Sequence, residues 1–212
     1  LRLDGLRGLD PSDRTKVFGQ VGGHPRALEY LDAILRGGEG RFPDVTRRLA
    51  KNLKERGIDP ASLKGDLNMA LAEAVMASSH DILLNELLKR MGEDSLVRRL
   101  VDGASVYRRP VDHAGLACQV SEGEVEPAGL GDAISEATGL TLITGGDFPG
   151  VGSQYIVHRW TAQALAQRMP GDRLREAHLR AGRYWDRRVK EATHDIAEYM
   201  EALDHFLEAG AI

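Results

Sequence analysis

Apolar side chains recur every three or four positions along most of this chain, which is the spacing of amphipathic α-helices. The stripe of Leu28, Leu31 and Leu35 is one example, and a similar stripe runs along 82–91. By this criterion the sequence predicts helices at 26–35, 45–53, 66–77, 82–91, 96–105, 113–120, 130–138, 161–168, 174–189 and 195–207.

Two short segments break the helical pattern and predict a β-hairpin. Residues 140–144 alternate and include β-branched side chains, as strands do, and residues 154–157 form the predicted returning strand. Between them, 145–152 contains four glycines and Pro149 and predicts the turn.

Three residues mark helix ends. Asp112 and Asp195 precede helical stretches and are suited to cap them, because a carboxylate accepts a hydrogen bond from a backbone N–H of the first turn. Gly210 follows the last helix and predicts its end, because glycine readily adopts the backbone conformation found there.

The order of these elements predicts a mainly α fold in four segments. Three helices, a hairpin and a closing helix give 94–170 the element order of a winged-helix domain. The two helices of 171–212 predict a TPR-like helical hairpin, the start of a repeat array, because one such pair cannot bury its apolar face alone. The remaining helices fall into a helical segment at 1–60 and a helical linker at 61–93.

Composition indicates a soluble, folded chain without a membrane span. Of 212 residues, 42% are hydrophobic and 28% are charged, and no apolar run approaches the ~18 residues that a membrane helix needs. No signal peptide is visible, and a start at Leu1 suggests part of a longer protein. The one cysteine, Cys118, excludes an internal disulfide, so we expect a reducing, cytoplasmic location.

The sequence lacks the motifs of common enzyme classes, so we expect no catalytic residues and no metal site. It has no GxxxxGKS/T phosphate loop, no GxSxG elbow and no HExxH helix, and no two of its seven histidines stand three or four apart. Cys118 is expected to pack in an apolar helix face rather than act as a nucleophile. The alternating carboxylates Glu122, Glu124 and Glu126 predict a solvated edge.

A winged helix invites a DNA-binding hypothesis, which the charges disfavour. The helix at 130–138 is in the recognition position and carries Asp132 and Glu136 but no Lys or Arg. From Arg90 to Pro170 there are seven basic and ten acidic residues, whereas phosphate contacts supply most nucleic-acid affinity. We therefore expect this segment to pack against protein.

Two short segments resemble the STAND and NB-ARC family of signalling ATPases. Residues 21–28 (VGGHPRAL) are similar to the GGHPLAL segment that opens a helix in the lid of the family's nucleotide-binding domain. Residues 154–160 (QYIVHRW) are similar to the strand-end motif of the family's winged helix, although Arg159 stands where an acidic residue is usual. Residues 106–111 and 202–210 are similar to further segments of bacterial members, in the family's order.

The resemblance implies that His24, Pro25 and His158 contact a nucleotide. Two glycines allow a tight turn before His24, and Pro25 can begin a helix without losing a helical hydrogen bond. In the family the proline ring lies against adenine, and the histidine that corresponds to His158 reaches the β-phosphate of ADP. A neutral histidine can donate one hydrogen bond, and its protonated form adds charge. Trp160 is expected to pack in the core or against another domain.

The resemblance further implies a regulatory function without catalysis in this part of the protein. Residues 1–60 would be the helical lid, and an upstream nucleotide-binding domain of the same chain would supply the phosphate loop. ADP or ATP would bind the full-length protein and not this part alone. Bound ADP would hold a closed state, and its exchange for ATP would open that state and allow the protein to oligomerise.

Protein partners are expected to bind the repeats of such a protein. Two alternative functions remain open from the sequence. The chain could be a winged-helix transcription regulator that binds DNA, or a helical scaffold for protein partners.

Overall fold

The computed structural model describes residues 3–21, 25–36, 47, 51, 54–55, 81–121 and 125–211 of the chain. The chain divides into two compact units, Leu1–Met91 and Gly92–Ile212. The described residues are mainly helical and include one antiparallel pair of strands, in the second unit. The predicted mainly α fold with a small β-hairpin is therefore confirmed, whereas the division into four segments remains a prediction.

The first unit contains helices α1 (Asp4–Arg7), α2 (Pro11–Val21), α3 (Pro25–Arg36) and α4 (81–91) among its described residues. Helix α3 confirms the prediction at 26–35, and Leu28 and Leu31 of the predicted stripe are buried. Of the helices predicted between α3 and α4, the one at 66–77 lies outside the described residues. The one at 45–53 is described only at Arg47 and Lys51, which are helical.

Asp32 joins α1 to α3 within this unit. Its Oδ1 accepts a hydrogen bond from the backbone N–H of Leu6 at 2.9 Å, and its Oδ2 lies 2.8 Å from Nε of Arg36. The carboxylate is buried, so these partners replace the water that it would otherwise bind. Helix α4 contacts α3 through Arg90, whose guanidinium donates to the carbonyl of Ile34 at 2.9 Å.

The second unit confirms every helix predicted there, with ends that differ by at most three residues. Its elements are α5 (Leu96–Ala104), α6 (His113–Val120), α7 (Leu130–Gly139), β1 (Ile143–Phe148), β2 (Gly152–Val157), α8 (Arg159–Ala166), α9 (Gly171–Arg188) and α10 (Ile196–Glu208). Helix α5 packs against both α6 and α7, and α9 packs against α10 and α6.

The predicted hairpin is present, but both strands are longer than expected, the first begins later and the second begins earlier. Pairing runs from Ile143 opposite Val157 to Phe148 opposite Gly152, so that only residues 149–151 form the turn. Residues 143 and 144 of the predicted first strand are paired, but its predicted start at 140 is wrong, because Thr141 adopts the left-handed conformation, with φ of 60°, which is incompatible with strand pairing.

The glycines of the expected turn belong mostly to the strands. Gly145 pairs with Tyr155, and Gly146 pairs with Gln154. Glycine can take part in such pairing, since the hydrogen bonds between strands use only backbone groups. At the base of the hairpin, Val111 and Tyr155 exchange backbone hydrogen bonds of 2.9 and 2.7 Å. The hairpin is thereby fixed to the segment before α6.

The three predicted helix ends are confirmed. The Asp112 side chain accepts from the backbone N–H of Gly115, and the Asp195 side chain accepts from that of Ala197. Gly210 has φ of 67°, the left-handed conformation that ends a helix. A π-helical turn, Val189–Thr193, continues α9 towards α10, and no pattern in the sequence predicts it.

Aromatic rings fill the core where α6, α9 and α10 meet. Tyr107 lies edge-on to the rings of Tyr184, Trp185 and His205, with centroids 5.8 to 6.3 Å apart. Its hydroxyl donates to the carbonyl of Gly115 at 2.8 Å, which satisfies the polar end of this buried side chain. Burial raises the pKa of Tyr107 well above its usual value, so the phenol remains protonated.

Arg188, at the end of α9, connects three helices beside this core. It donates to Asp112 Oδ2 at 2.9 Å and forms a two-pronged pair with Glu198, at 2.8 and 3.2 Å. Asp112 also accepts from the Tyr184 hydroxyl at 3.1 Å. The hydrogen bonds to Glu198 raise the pKa of Arg188, so it is always charged. We call Asp112, Arg188 and Glu198 the carboxylate–arginine cluster.

Glycines allow the four principal helices of this unit to approach closely. A Cβ on Gly103 of α5 would lie 2.7 Å from Cβ of Gln119 in α6, and one on Gly115 of α6 would lie 2.9 Å from Cζ of Tyr184 in α9. A Cβ on Gly182 of α9 would lie 2.8 Å from an aromatic ring of α10. None of these three positions has room for a larger residue without movement of its neighbour.

Two histidines contact each other between α9 and α10. Nδ1 of His178 lies 2.9 Å from Nδ1 of His205, so one ring donates and the other accepts. His205 is fully buried, and burial lowers its pKa to about 3, with the charges of His178 and Arg108 acting in the same direction. Glu201 Oε2, at 3.9 Å from His205 Nε2, is too far to form a hydrogen bond.

We expect Arg188→Met to lower the unfolding free energy of the second unit by about 3 kcal/mol, because it leaves the nearly buried Glu198 carboxylate without a cation. Both tryptophans, Trp160 and Trp185, lie in this unit, so urea unfolding followed by tryptophan fluorescence is the measurement. The control is Arg183→Met, which removes an exposed arginine from the same helix. Equal losses in the two variants would contradict the prediction.

The buried His205 predicts that acid destabilises the second unit. Below about pH 6.5 the unfolded chain binds a proton at this histidine that the folded chain does not bind until about pH 3. The unfolding free energy should therefore be constant above pH 7 and fall by up to ~1.4 kcal/mol per pH unit below pH 6.5. Urea titrations between about pH 7.5 and pH 5 test this dependence.

His205→Gln should weaken that pH dependence, and the part that remains should come from His178, whose pKa is also lowered by burial. If the unfolding free energy of the unsubstituted chain does not fall over this pH range, the predicted effect of the buried His205 is contradicted.

Candidate functional site

Pro25, one of the three predicted nucleotide contacts, begins helix α3 as expected. Its side chain is exposed, whereas Ala27, Leu28 and Leu31, further along the helix, are buried. A proline ring at the first position of a helix can therefore be contacted from outside the unit. His24 lies outside the described residues.

His158 occupies the junction between β2 and α8, where the resemblance predicts it. Its side chain is exposed, and Nδ1 accepts a hydrogen bond from the backbone N–H of Trp160 at 3.4 Å, which caps α8. Because Nδ1 is the acceptor, a neutral His158 carries its proton on Nε2.

Pro25 belongs to the first unit and His158 to the second. Each is described within its own unit, and a ligand common to both remains a prediction.

Trp160 does not lie in the core of its unit. Its side chain is 58% exposed, beside the exposed His158 and Arg159 at the start of α8. Of the two expectations for Trp160, core packing is therefore wrong, and packing against another domain remains a prediction. The buried side of α8 is instead formed by Thr161, Ala164 and Leu165.

The surface of α7 is acidic. Asp132 and Glu136 are both exposed, and the buried side of the helix is formed by Leu130, Ala133 and Ile134. The hairpin adds Asp147 and no basic residue. A surface with this charge repels phosphate, so it provides no electrostatic attraction to a nucleic acid.

Cys118 is half-buried in α6 and donates through Sγ to the carbonyl of Arg180 at 3.3 Å. Burial raises the pKa of the thiol above its usual value, although nearby arginines oppose this effect. The reactive thiolate is thus disfavoured, which agrees with the predicted packing role. Of the three carboxylates predicted to form a solvated edge, Glu126 is exposed, and Glu122 and Glu124 lie outside the described residues.

Two features of the second unit were missed by the sequence analysis. One is an exposed apolar face of α10, formed by Ile196, Tyr199, Met200 and Leu207. Their spacing of three and four was visible in the sequence, but it does not by itself show which face of a helix is buried.

The other is a cavity of about 240 Å³ between α5, α6 and α9, with three arginines, the carboxylates of Asp102 and Glu176 and the side chain of Gln119 among the residues of its wall. Its residues come from helices far apart in the sequence, and no local spacing connects them.

Within the part of the chain that the structure describes, no three His, Cys, Asp or Glu side chains are grouped so that they could hold a metal ion. None of the described helices is long and apolar enough to cross a membrane. No protein-family model matches the chain, and a search of curated proteins finds no significant match.

The environment of Cys118 predicts slow alkylation. At about pH 7.5 we expect iodoacetamide to modify Cys118 at least tenfold more slowly than a thiol introduced at the exposed Ser153 by Ser153→Cys in a Cys118→Ser background. Mass spectrometry of quenched samples gives both rates. A rate for Cys118 equal to or above that of the exposed thiol would contradict the packing role.

Proposed function

We propose that this chain is the regulatory, nucleotide-sensing part of a STAND-type signalling ATPase and controls ADP/ATP-dependent conformational switching and oligomerisation. It would act in the cytoplasm with an upstream nucleotide-binding domain of the same protein. The chain itself would catalyse no reaction.

The observation that carries the proposal is the setting of His158. The residue stands at the end of β2, its ring is exposed, and its capping bond through Nδ1 directs the proton to Nε2. An N–H on a ring that is fixed at a helix start is suited to donate to a phosphate oxygen. The resemblance of residues 154–160 to the family's strand-end motif assigns the same contact.

Two features of the second unit support a winged-helix domain in 94–170. The element order of α5, α6, α7, a hairpin and α8 is the order of that domain. The bridge from Val111 to Tyr155 adds a third, very short strand position to the hairpin, in the place where a winged helix has its first strand.

The exposed face of α10 supports the proposed repeat array. Ile196, Tyr199, Met200 and Leu207 are 49 to 78% exposed on the side of α10 opposite its buried residues Ala202 and His205. A further helix pair of a TPR-like array would cover such a face, as each repeat buries its neighbour.

The exposed face also favours a second candidate, a helical scaffold that binds protein partners. This candidate predicts no effect of ADP or ATP when the upstream region is present.

The third possibility, a DNA-binding regulator, is opposed by the acidic surface of α7. A salt-dependent gel shift with duplex DNA that Lys substitutions at Asp132 and Glu136 strengthen would favour it.

In the full-length protein, we expect His158→Ala to accelerate ADP dissociation about tenfold, because one hydrogen bond to a charged phosphate is lost. Basal activation should rise in parallel. Stopped-flow release of a fluorescent ADP analogue measures the rate. ADP dissociation that is unchanged in this variant would remove the proposed contact.

His158→Asp separates the phosphate contact from the cap. Aspartate retains an acceptor for the Trp160 N–H but places a negative charge near the phosphate, so ADP release should be at least as fast as in His158→Ala. Normal ADP release in His158→Asp, together with fast release in His158→Ala, would show that His158 acts only as a cap.

A further inference from the structure

Helix α9 carries a row of arginines along one side. Because successive residues of an α-helix are rotated by about 100°, Arg173, Arg180, Arg183 and Arg187 fall within an arc of about 80° of its surface. The rise of about 1.5 Å per residue places the first and last of them about 21 Å apart along the axis. We call these four residues the basic stripe.

Three members of the basic stripe have no carboxylate partner. Arg173, Arg183 and Arg187 are exposed, and none of them forms an ion pair within 4 Å among the residues that the structure describes. Arg180 lies 2.9 Å from Glu176, which is the one carboxylate of α9 within the same arc. Four arginines and one glutamate give this side of the helix a net charge of +3.

The neighbouring part of α5 does not neutralise this charge. Asp102 lies 2.9 Å from Arg98, and although the charge of Arg173 also acts on it, its own ion pair is within α5. Arg99, the next residue, is exposed and lines the same cavity as Arg173. The three charged groups of α5 thus add a further positive charge at the Arg173 end of the stripe.

The other end of the stripe lies beside α6. Burial raises the pKa of the Cys118 thiol, and the charges of Arg187, Arg180 and Arg183 oppose this rise. Three guanidinium groups from successive turns of α9 therefore lie near one point on α6, so the charge of the stripe is continuous along the helix.

The composition of this surface distinguishes between classes of polyanion. Among the residues that the structure describes, none of the large exposed apolar side chains belongs to α9 or α5. Stable protein interfaces have an apolar centre, and helices that bind a membrane surface insert apolar side chains. A nucleic-acid backbone needs neither, because arginine binds phosphate through two parallel hydrogen bonds and through charge.

The net charge of the whole chain, −4, does not oppose such binding at the stripe. Salt screens exposed charges beyond about 10 Å at about 0.1 M ionic strength, so a phosphate close to α9 is influenced mainly by the arginines next to it.

We propose that the basic stripe of α9 binds the phosphate backbone of a nucleic acid. The binding should depend little on base sequence, because contacts to phosphate carry no sequence information. This surface belongs to a different helix from the acidic surface of α7, and it is independent of the proposed nucleotide contact at His158.

The test is fluorescence anisotropy with the 212-residue chain and three labelled probes of about 20 nucleotides or base pairs: duplex DNA, single-stranded DNA and single-stranded RNA. If the three unpaired arginines neutralise three phosphates, a plot of log K against log salt concentration has a slope of about −2.7 on the duplex and about −2.1 on a single strand. Between about 50 and 200 mM salt, the affinity for the duplex should fall about 40-fold.

Variants locate the binding on α9. Arg183→Gln and Arg187→Gln should each weaken binding by at least about threefold and make the slope shallower by about 0.9. Glu176→Gln, which removes the carboxylate from the stripe, should strengthen binding. The matched control is Arg175→Gln, on an exposed arginine of the same helix at least about 80° from the stripe, which should leave the slope unchanged.

Four results would overturn the proposal. The first is that about 100 µM chain binds none of the three probes at about 50 mM salt. The second is an unchanged slope in Arg183→Gln and Arg187→Gln, which would place the contact on another surface. The third is an equal loss in Arg175→Gln, which would show attraction by net charge alone. The fourth is that poly-L-glutamate or phosphatidylserine vesicles bind at least as tightly as the nucleic acids. All the substituted side chains are exposed, and circular dichroism melting checks that each variant folds.

Discussion

The carboxylate–arginine cluster is the interaction on which the packing of the second unit depends. A single guanidinium meets two carboxylates, from the start of α6 and the first turn of α10, and it extends from the end of α9. Glu198 is nearly buried, so any arrangement that separated it from Arg188 would leave a charge without water or partner. The rings of Tyr184 and Trp185 lie under the guanidinium, with centroids at 5.8 Å, and limit the access of water further. The relative placement of the three helices is thereby restricted.

This restriction extends to the cavity and to the strand–helix junction at His158. Asp112 fixes the start of α6, and α6 ends with Gln119 and Val120 in the wall of the cavity. The segment before Asp112 contains Val111, which holds the base of the hairpin at Tyr155, and β2 leads from there to His158. The Asp112 carboxylate is therefore connected along the chain to the wall of the cavity in one direction and to the strand–helix junction at His158 in the other.

Much of the helical structure could be predicted from the sequence because its signals are local. The stripe along α3, the caps at Asp112 and Asp195 and the end at Gly210 depend on residues within about one helical turn. The start of β1 could not be predicted, since the left-handed Thr141 leaves no local signal, and neither could the strands' continuation through glycines. For the candidate site, the resemblance of residues 154–160 to the family's strand-end motif predicts the position of His158 at the end of a strand. The cavity, the carboxylate–arginine cluster and the pair of His178 with His205 depend on contacts between residues 10 to 76 positions apart on different helices, which no spacing rule detects.

The contacts at Gly103, Gly115 and Gly182 connect α5, α6, α9 and α10 in series. Each helix approaches the next where a hydrogen atom takes the place of a side chain, so a larger residue at any of the three positions would push two helices apart. The position of α10, and with it that of its exposed apolar residues, therefore depends on the contact at Gly182 with α9, and α9 in turn depends on the contact at Gly115 with α6. A larger residue at Gly103 of α5 would thus be transmitted to α10 through α6 and α9.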